Sequence, residues 1–285
     1  MDLFEDLNEE QRLAVDHLYG SILVMAPVGT GKTKVITHRA ANAIRNGTNP
    51  EKILCLSFTN KAAREMKQRV LDFLGTKARK IKVSTFHSFC NFILRCESDA
   101  LGINSDFAVY DEEDSKDILA EIVRDYNITV PGEDVDRFYT CLYDFIEEVK
   151  ISPYKQKTVN SIDEIFFSVI RKQFFRNLDR EQAFYAEDIF NEYNRILAEN
   201  HVLDFTDLIV NVLTLFNTKP EILSRWQNTY DWIQVDEVQD TDIPQYLILS
   251  ALAREHRNLS FFGDIDQTIY EWRGASPYKL LELFS

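Results

Sequence analysis

The octet APVGTGKT at positions 26–33 constrains this chain more than any other segment. A short β-rich apolar run, SILVM, leads into it, and a helical stretch expected to reach about Asn46 follows, with Gly47 as its stop. Strand, glycine-bearing turn and helix in that order bring backbone N–H groups to the positive end of a helix, where they face an anion. The spacing meets GxxxxGK[ST] except that Ala26 holds the first glycine position. Gly29 and Gly31 permit a tight turn around Thr30. Lys32 offers a cation to β/γ-phosphates and Thr33 a hydroxyl to Mg²⁺. The alternative, a chance glycine-rich turn, leaves the full strand–loop–GKT–helix context unexplained.

The rest of the chain supplies the sheet that such a loop needs. β-rich apolar runs recur at 21–25, 53–58, 81–84, 107–110, 230–236 and 259–263, several separated by helical stretches of crossover length. That pattern predicts an α/β fold with a parallel sheet and helices on both faces. Between Lys61 and Leu74, Ala62, Met66, Val70, Phe73 and Leu74 share one helical face, while Lys61, Arg64, Lys67 and Arg69 mostly fall elsewhere. Asn60 is the expected N-cap and Gly75 the stop. Segment 111–203 differs, with one Gly, two Pro and 21 acidic against 11 basic residues. Helical spacing dominates there, as in Ile118, Ile122, Val123 and Tyr126. The expected organisation is therefore a sheet domain over 1–110 and 204–285, interrupted by an all-helical subdomain at 111–203.

Charge is divided along the chain. The net value is −14, yet residues 20–95 carry 14 Lys/Arg against 3 Asp/Glu, and residues 96–285 carry 17 against 37. Screening limits each charge to about 8–10 Å at physiological salt, so an acidic protein can still present one basic face to phosphate. No run of 18 apolar residues offers a membrane span, and the first ten residues, MDLFEDLNEE, are acidic where a signal peptide is basic. Cys55, Cys90, Cys96 and Cys141 show no metal-type spacing and read as reduced thiols of a cytoplasmic protein.

A second chemical feature sits at Asp236-Glu237, reached through an apolar approach that Gln234 interrupts. Acids at the carboxyl end of a buried strand stand where ligands bind in open α/β sheets. Asp236 suits Mg²⁺, often through water, and Glu237 suits orientation and deprotonation of an attacking water. A solvated acidic turn is the other reading, since Asp240 and Asp242 follow.

Taken together, the segments closely resemble the UvrD/Rep-type superfamily 1 DNA helicases. LNEEQR (7–12) is similar to the family's adenine-reading motif, and 26–33 to its phosphate loop. LSFTNKAAREM (56–66) and STFH (84–87) resemble the next two motifs. LDFTDL (203–208) resembles the return to the motor domain, VDEVQDT (235–241) the acidic motif, and GDIDQTIYEWRG (263–274) the third motif. The resemblance implies a RecA-like P-loop fold, ATP and Mg²⁺ as nucleotide and metal, and 3′ to 5′ movement on single-stranded DNA. It implies that Gln11 contacts the base, that Arg39 lies beside the nucleotide, and that Gln267 senses the γ-phosphate. It implies that Phe58, Tyr270 and Trp272 bracket bases, and that Thr59, Asn60, Thr85, His87 and Arg273 meet the strand or brace that site. Plain alternatives stay open: a core position for Phe58, a packed aromatic for Trp272, a structural hydrogen-bonding group for His87, and a solvated face for helix 61–74.

Pro27 stands where the family usually has glycine, Val238 where an aromatic is common, and Ile265 where an acidic or small residue is common. None removes a catalytic group. The family places a second RecA-like domain beyond the third motif, and the sequence extends only 12 residues past Arg273. Two functions follow as expectations: the N-terminal half of an ATP-dependent helicase, or a nucleotide-gated DNA-sensing module or subunit whose partner chain completes the cleft. A metabolic P-loop kinase is disfavoured, because it has no use for the FTNKAA stretch or the aromatic third motif.

Overall fold

Five of the six expected β runs enter one sheet, and the sixth does not. The computed structural model describes residues 4–27, 29–128, 135–154, 162, 165 and 185–264. Strands β1 (Ile22–Met25), β2 (Ile53–Ser57), β3 (Lys82–Thr85), β6 (Trp232–Val235) and β7 (Leu259–Gly263) form an all-parallel sheet in the order β1-β7-β6-β2-β3. β2, β6 and β7 are buried at every position, which requires cover on both faces and explains their unbroken apolar character. The remaining run becomes β4 (Ala108–Tyr110), which pairs in parallel with β5 (Val202–Asp204) as a separate two-stranded sheet. The expectation of an all-helical segment up to residue 203 is corrected by that pair.

The chain divides into two compact units, 1–89 with 213–285 and 90–212. These divisions lie inside helices Phe86–Cys96 and Phe205–Thr218 rather than at 110/111 and 203/204. The physical reason is the β4–β5 pairing, which ties residues 108–110 to residues 202–204. The core of the first unit gathers Ile36, Ala40, Ile53, Cys55, Met66, Val70, Trp232 and Phe262. That of the second gathers Ile118, Leu119, Ile122, Phe138, Phe145, Ile146, Ile189 and Tyr193. Among the described residues no helix is long and apolar enough to cross a membrane, and all four cysteines are free.

Helix α1 (Glu9–Asp16) opens with a capping box in which Asn8 accepts from the Gln11 N–H at 2.8 Å and Gln11 Oε1 accepts from the Asn8 N–H at 3.1 Å. Helix α2 (Lys32–Arg45) starts directly at the loop lysine and ends at Asn46, with Gly47 at φ +98° just beyond it. Helix α3 (Asn60–Leu74) is capped by the Thr59 hydroxyl, which accepts from the Ala62 N–H at 3.1 Å, so Asn60 is the first helical residue and not the cap. Gly75, at φ +61°, ends it as expected.

Candidate nucleotide site

The parallel register decides what meets at the carboxyl edge of the sheet. Met25 is level with Gly263, Leu56 with Val235, and Ser57 with Thr85. The glycine loop after β1, the acid pair after β6, Asp264 after β7 and the turns after β2 and β3 therefore leave the same edge. Ligands of open α/β sheets bind there.

Gly29 and Gly31 have φ of +78° and +88°, in the left-handed region where a side chain is strained. A Cβ at Gly31 would also come within 3.0 Å of Gln11 Nε2. Gln11 is therefore seated on the loop: its Nε2 donates to the Thr30 carbonyl at 2.8 Å. Thr30 Oγ1 donates to the Pro27 carbonyl at 2.6 Å, closing the turn that Pro27 enters without an N–H of its own. Lys32 Nζ donates to the Ala26 carbonyl at 2.9 Å and lies 3.9 Å from Asp264 Oδ2. Gly29, Gly31, Lys32, Thr33, Lys34, Arg69 and Glu237 line a cavity of about 300 Å³. That volume is at the lower end of the range typical of ligand pockets.

Asp236 is 6% exposed, and its N–H donates to the Leu56 carbonyl at 2.9 Å, extending the ladder by one step. Burial, with the neighbouring Glu237 carboxylate adding to it, pushes the Asp236 carboxyl up to about 6. Glu237 adopts φ +53°, uncommon for a non-glycine residue, and lines the cavity with Lys32 and Thr33. Mg²⁺ fits this donor set. A hydroxyl at the first turn of α2 and a desolvated carboxylate are hard oxygen donors, and the raised Asp236 carboxyl lacks a full compensating charge.

Arg39 stands elsewhere than the resemblance implies. It is 1% exposed and does not line the cavity. Its guanidinium donates to the His17 carbonyl at 3.0 Å through Nε and to Ser260 Oγ at 2.7 Å and Gln234 Oε1 at 3.4 Å, and sits 4.7 Å over the Trp232 ring. Burial pulls it down to about 10. The polar Gln234 that interrupts an apolar strand is thus part of a core network, and its Nε2 donates to the Ile36 carbonyl at 3.1 Å. Besides Lys32, the cavity is lined by the cations of Lys34 and Arg69, which neither the loop motif nor the resemblance places at the nucleotide. Lys34 follows the GKT directly, and that position was the available signal. Arg69 comes from α3, where only the three-dimensional fold brings it near.

The turns after β2 and β3 carry the residues expected at DNA. Phe58 is 42% exposed, which removes the core alternative. Thr59 and Asn60 are exposed, and His87 is half-buried. Thr85 is buried, its Oγ1 donating to Ser88 Oγ at 2.8 Å and accepting from the Ser88 N–H at 3.2 Å. Lys61, Arg64, Lys67 and Arg69 are exposed along α3, and Ala63, Met66 and Val70 are buried beneath them. Gln267, Tyr270, Trp272 and Arg273, with Ile265, lie outside the described residues.

Comparison with known proteins gives the family. The chain is 36% identical over 280 residues to an ATP-dependent DNA helicase PcrA of Staphylococcus aureus, and equally to one of Staphylococcus epidermidis. Each alignment covers 98% of this chain and 36% of the relative, so the chain spans about a third of the length of the curated relatives it matches. The profile of the UvrD/REP helicase N-terminal domain matches residues 7–284. With its loop, acid pair and parallel sheet in the places described, the chain belongs to the UvrD/REP helicase N-terminal domain family.

Proposed function

We propose that this chain is the ATP- and DNA-binding N-terminal portion of a DNA helicase that couples ATP hydrolysis to 3′ to 5′ movement along single-stranded DNA. One observation carries the reading: Lys32 and Thr33 of the loop and Glu237 of the acid pair line one cavity. Lys32 places its charge against the β/γ-phosphates, exchanging the Ala26 carbonyl for phosphate oxygen. The loop N–H groups at the start of α2 hold the remaining phosphate charge. Glu237 orients the attacking water and takes its proton, and Gln267 reports the γ-phosphate to the strand-binding side. Thr33 and Asp236 would hold Mg²⁺, which when bound supplies charge neutralisation on the phosphate oxygens. Gln11 reads the adenine from its seat on the loop, and Lys34 and Arg69 add positive charge to the same pocket. Single-stranded DNA crosses the turns after β2 and β3, with Phe58, Tyr270 and Trp272 as stacking surfaces and Thr59, Asn60, Thr85, His87 and Arg273 on the backbone or bracing the track. A second RecA-like domain, in the same polypeptide or a partner, forms the opposite wall of the cleft.

Calorimetric titration with Mg-ATP tests the assignment. Lys32→Ala should remain folded and lose at least tenfold in affinity, as expected for removal of a charge-assisted contact. Glu237→Gln should retain affinity and lose turnover. Unchanged affinity in folded Lys32→Ala would reject the loop as the phosphate site.

A further inference from the structure

Between the acid pair and the end of β7 sits a side chain that the proposed reaction has not used. Gln239 is 2% exposed, and both ends of its amide are engaged. Its Nε2 donates to Glu237 Oε2 at 2.7 Å, and its Oε1 accepts from the Asp264 N–H at 3.0 Å. The approach of β7 leaves no slack. A Cβ on Gly263 would lie 2.6 Å from Gln239 Oε1 and 2.6 Å from Val238 Cγ1, so any larger residue there would displace one of the two side chains. Asp264 in turn places its carboxylate 3.9 Å from the loop lysine. The connected path therefore runs from Lys32 to Asp264, from the Asp264 backbone to Gln239, and from Gln239 to Glu237.

We infer that Gln239 is a positioning residue for the hydrolytic base, one that ties the Glu237 carboxylate to the backbone leaving β7. The inference rests on the reading of Glu237 as the base. Glu237 needs such a holder: its backbone is in the left-handed region, and a free carboxylate on that turn can rotate away from the cavity. An amide is the right group, because it donates to a carboxylate at one end and accepts from a peptide N–H at the other. A carboxylate at position 239 keeps the acceptor and loses the donor, so the two bonds can be separated by substitution. Because the β7 end also carries Asp264 toward Lys32, a displacement of this strand end on phosphate binding reaches Glu237 through one side chain. Supporting groups of this kind typically change activity by about 10- to 100-fold when removed.

The test uses the 285-residue chain, with Gln239→Ala, Gln239→Glu and Glu237→Gln as variants. Three readouts are taken: Mg-ATP affinity, single-turnover hydrolysis with chain in excess over ATP, and hydrogen exchange at the Asp264 amide. Gln239→Ala should keep affinity within about twofold, lose about 10- to 100-fold in hydrolysis, and exchange faster at Asp264 while Phe261 and Phe262 stay protected. Gln239→Glu should lose hydrolysis as much but keep Asp264 protected. Loss of affinity in step with hydrolysis would reduce Gln239 to a fold-supporting residue and overturn the inference. So would unchanged hydrolysis in Gln239→Ala when Glu237→Gln abolishes it. Unchanged Asp264 exchange in Gln239→Ala would remove the link to β7. If Glu237→Gln hydrolyses ATP at the parent rate, the base assignment itself fails and the inference falls with it.

Discussion

A buried carboxyl with a raised pKa makes a prediction whose sign follows from proton binding. Asp236 sits at about 6 in the folded chain against an ordinary 3.8, so the folded state binds the proton more tightly than the unfolded state. Stability from that proton is fully present below the ordinary value and is lost as pH rises through about 6. At about 1.4 kcal/mol per pH unit of displacement, the nucleotide-free, Mg²⁺-free chain carries a cost on the order of 3 kcal/mol at neutral pH. Asp236→Asn keeps the oxygen that accepts from the Glu237 N–H at 3.0 Å and removes the charge. Urea unfolding in chelator should find it more stable than the parent at pH 7.5, with the gain gone by pH 4. Equal stability at both pH values would mean that Asp236 is not desolvated. Arg39 supports the complementary prediction. Its named acceptors are neutral oxygens, and lysine cannot reproduce the fork that reaches His17, Ser260 and Gln234 at once. Arg39→Lys should cost about 2–4 kcal/mol of stability and leave Mg-ATP affinity unchanged below the melting transition. A large affinity loss would restore Arg39 to the nucleotide. The loop of Lys32 and Thr33 follows β1 and the pair Asp236-Glu237 follows β6 at one sheet edge, an arrangement legible in the sequence because their spacing relative to strand and helix signals is local. The buried network of Arg39 is not legible in the same way, because an arginine seven residues past the loop lysine is equally able to line a phosphate pocket or anchor a core. Only burial and the facing Gln234 separate those outcomes.

At the level of elements, the second unit holds a buried ionic cluster that its helices share. Lys150 Nζ lies 2.7 Å from both Asp204 Oδ2 and Asp207 Oδ1, and Tyr193 OH donates to Asp204 Oδ2 at 3.0 Å. Burial opposes the Lys150 charge, but Asp207 and Asp204 outweigh it and hold the ammonium above its ordinary range. The same carboxylates start the helix Phe205–Thr218, Asp204 Oδ1 accepting from the Asp207 N–H at 2.7 Å. Removing the cation leaves two acids in an apolar core. Lys150→Met should therefore lose about 3–5 kcal/mol, read by urea unfolding, although methionine fills a similar volume. A loss under about 1 kcal/mol would show that water reaches the acids. None of this is visible in LDFTDL (203–208), whose residues show only their neighbours in sequence. Its partner Lys150 is 54 residues away, and β4, paired with β5, lies 94 residues from it by register. Strands of three residues carry too little periodicity to announce a partner, so residues 107–110 read like the runs of the large sheet although they pair with β5. The long signals behaved differently. β2, β7 and α3 stand within a residue of their expected limits, because apolar runs and 3.6-residue spacing report burial directly.

For the whole molecule, the segregation of charge predicts how single-stranded DNA binds. With 14 basic against 3 acidic residues in 20–95, binding should weaken steeply with salt despite the net charge of −14. Micromolar affinity or weaker is expected, without sequence preference, and Phe58→Ala should cost about 1–3 kcal/mol as an exposed stacking surface. Anisotropy across a salt series checks both, and a flat salt response would reject an electrostatic track. Hydrolysis is the harder question, because it depends on charge that develops only in the transition state. On the proposed reading, Lys32 and an Mg²⁺ held by Thr33 and Asp236 would neutralise part of it. Arginines that reach across such a cleft are worth about 10³–10⁵ in rate, and the family resemblance gives them to the second RecA-like domain. Arg69 and Lys34 complicate that division, since both already line the cavity from this side. Both are side chains of the cavity wall, where a cation meets ground-state phosphate as well as the transition state. Interactions equal in both states raise affinity and leave the chemical step unchanged. The chain alone should therefore bind Mg-ATP, hydrolyse it very slowly and unwind nothing. Arg69→Ala should weaken binding more than it slows the remaining turnover. Phosphate release with and without single-stranded DNA, repeated after addition of a second RecA-like domain, is the measurement. A large rise on that addition fits a cleft completed from outside, whereas robust DNA-stimulated turnover by the chain alone, lost in Arg69→Ala, would make Arg69 the finger.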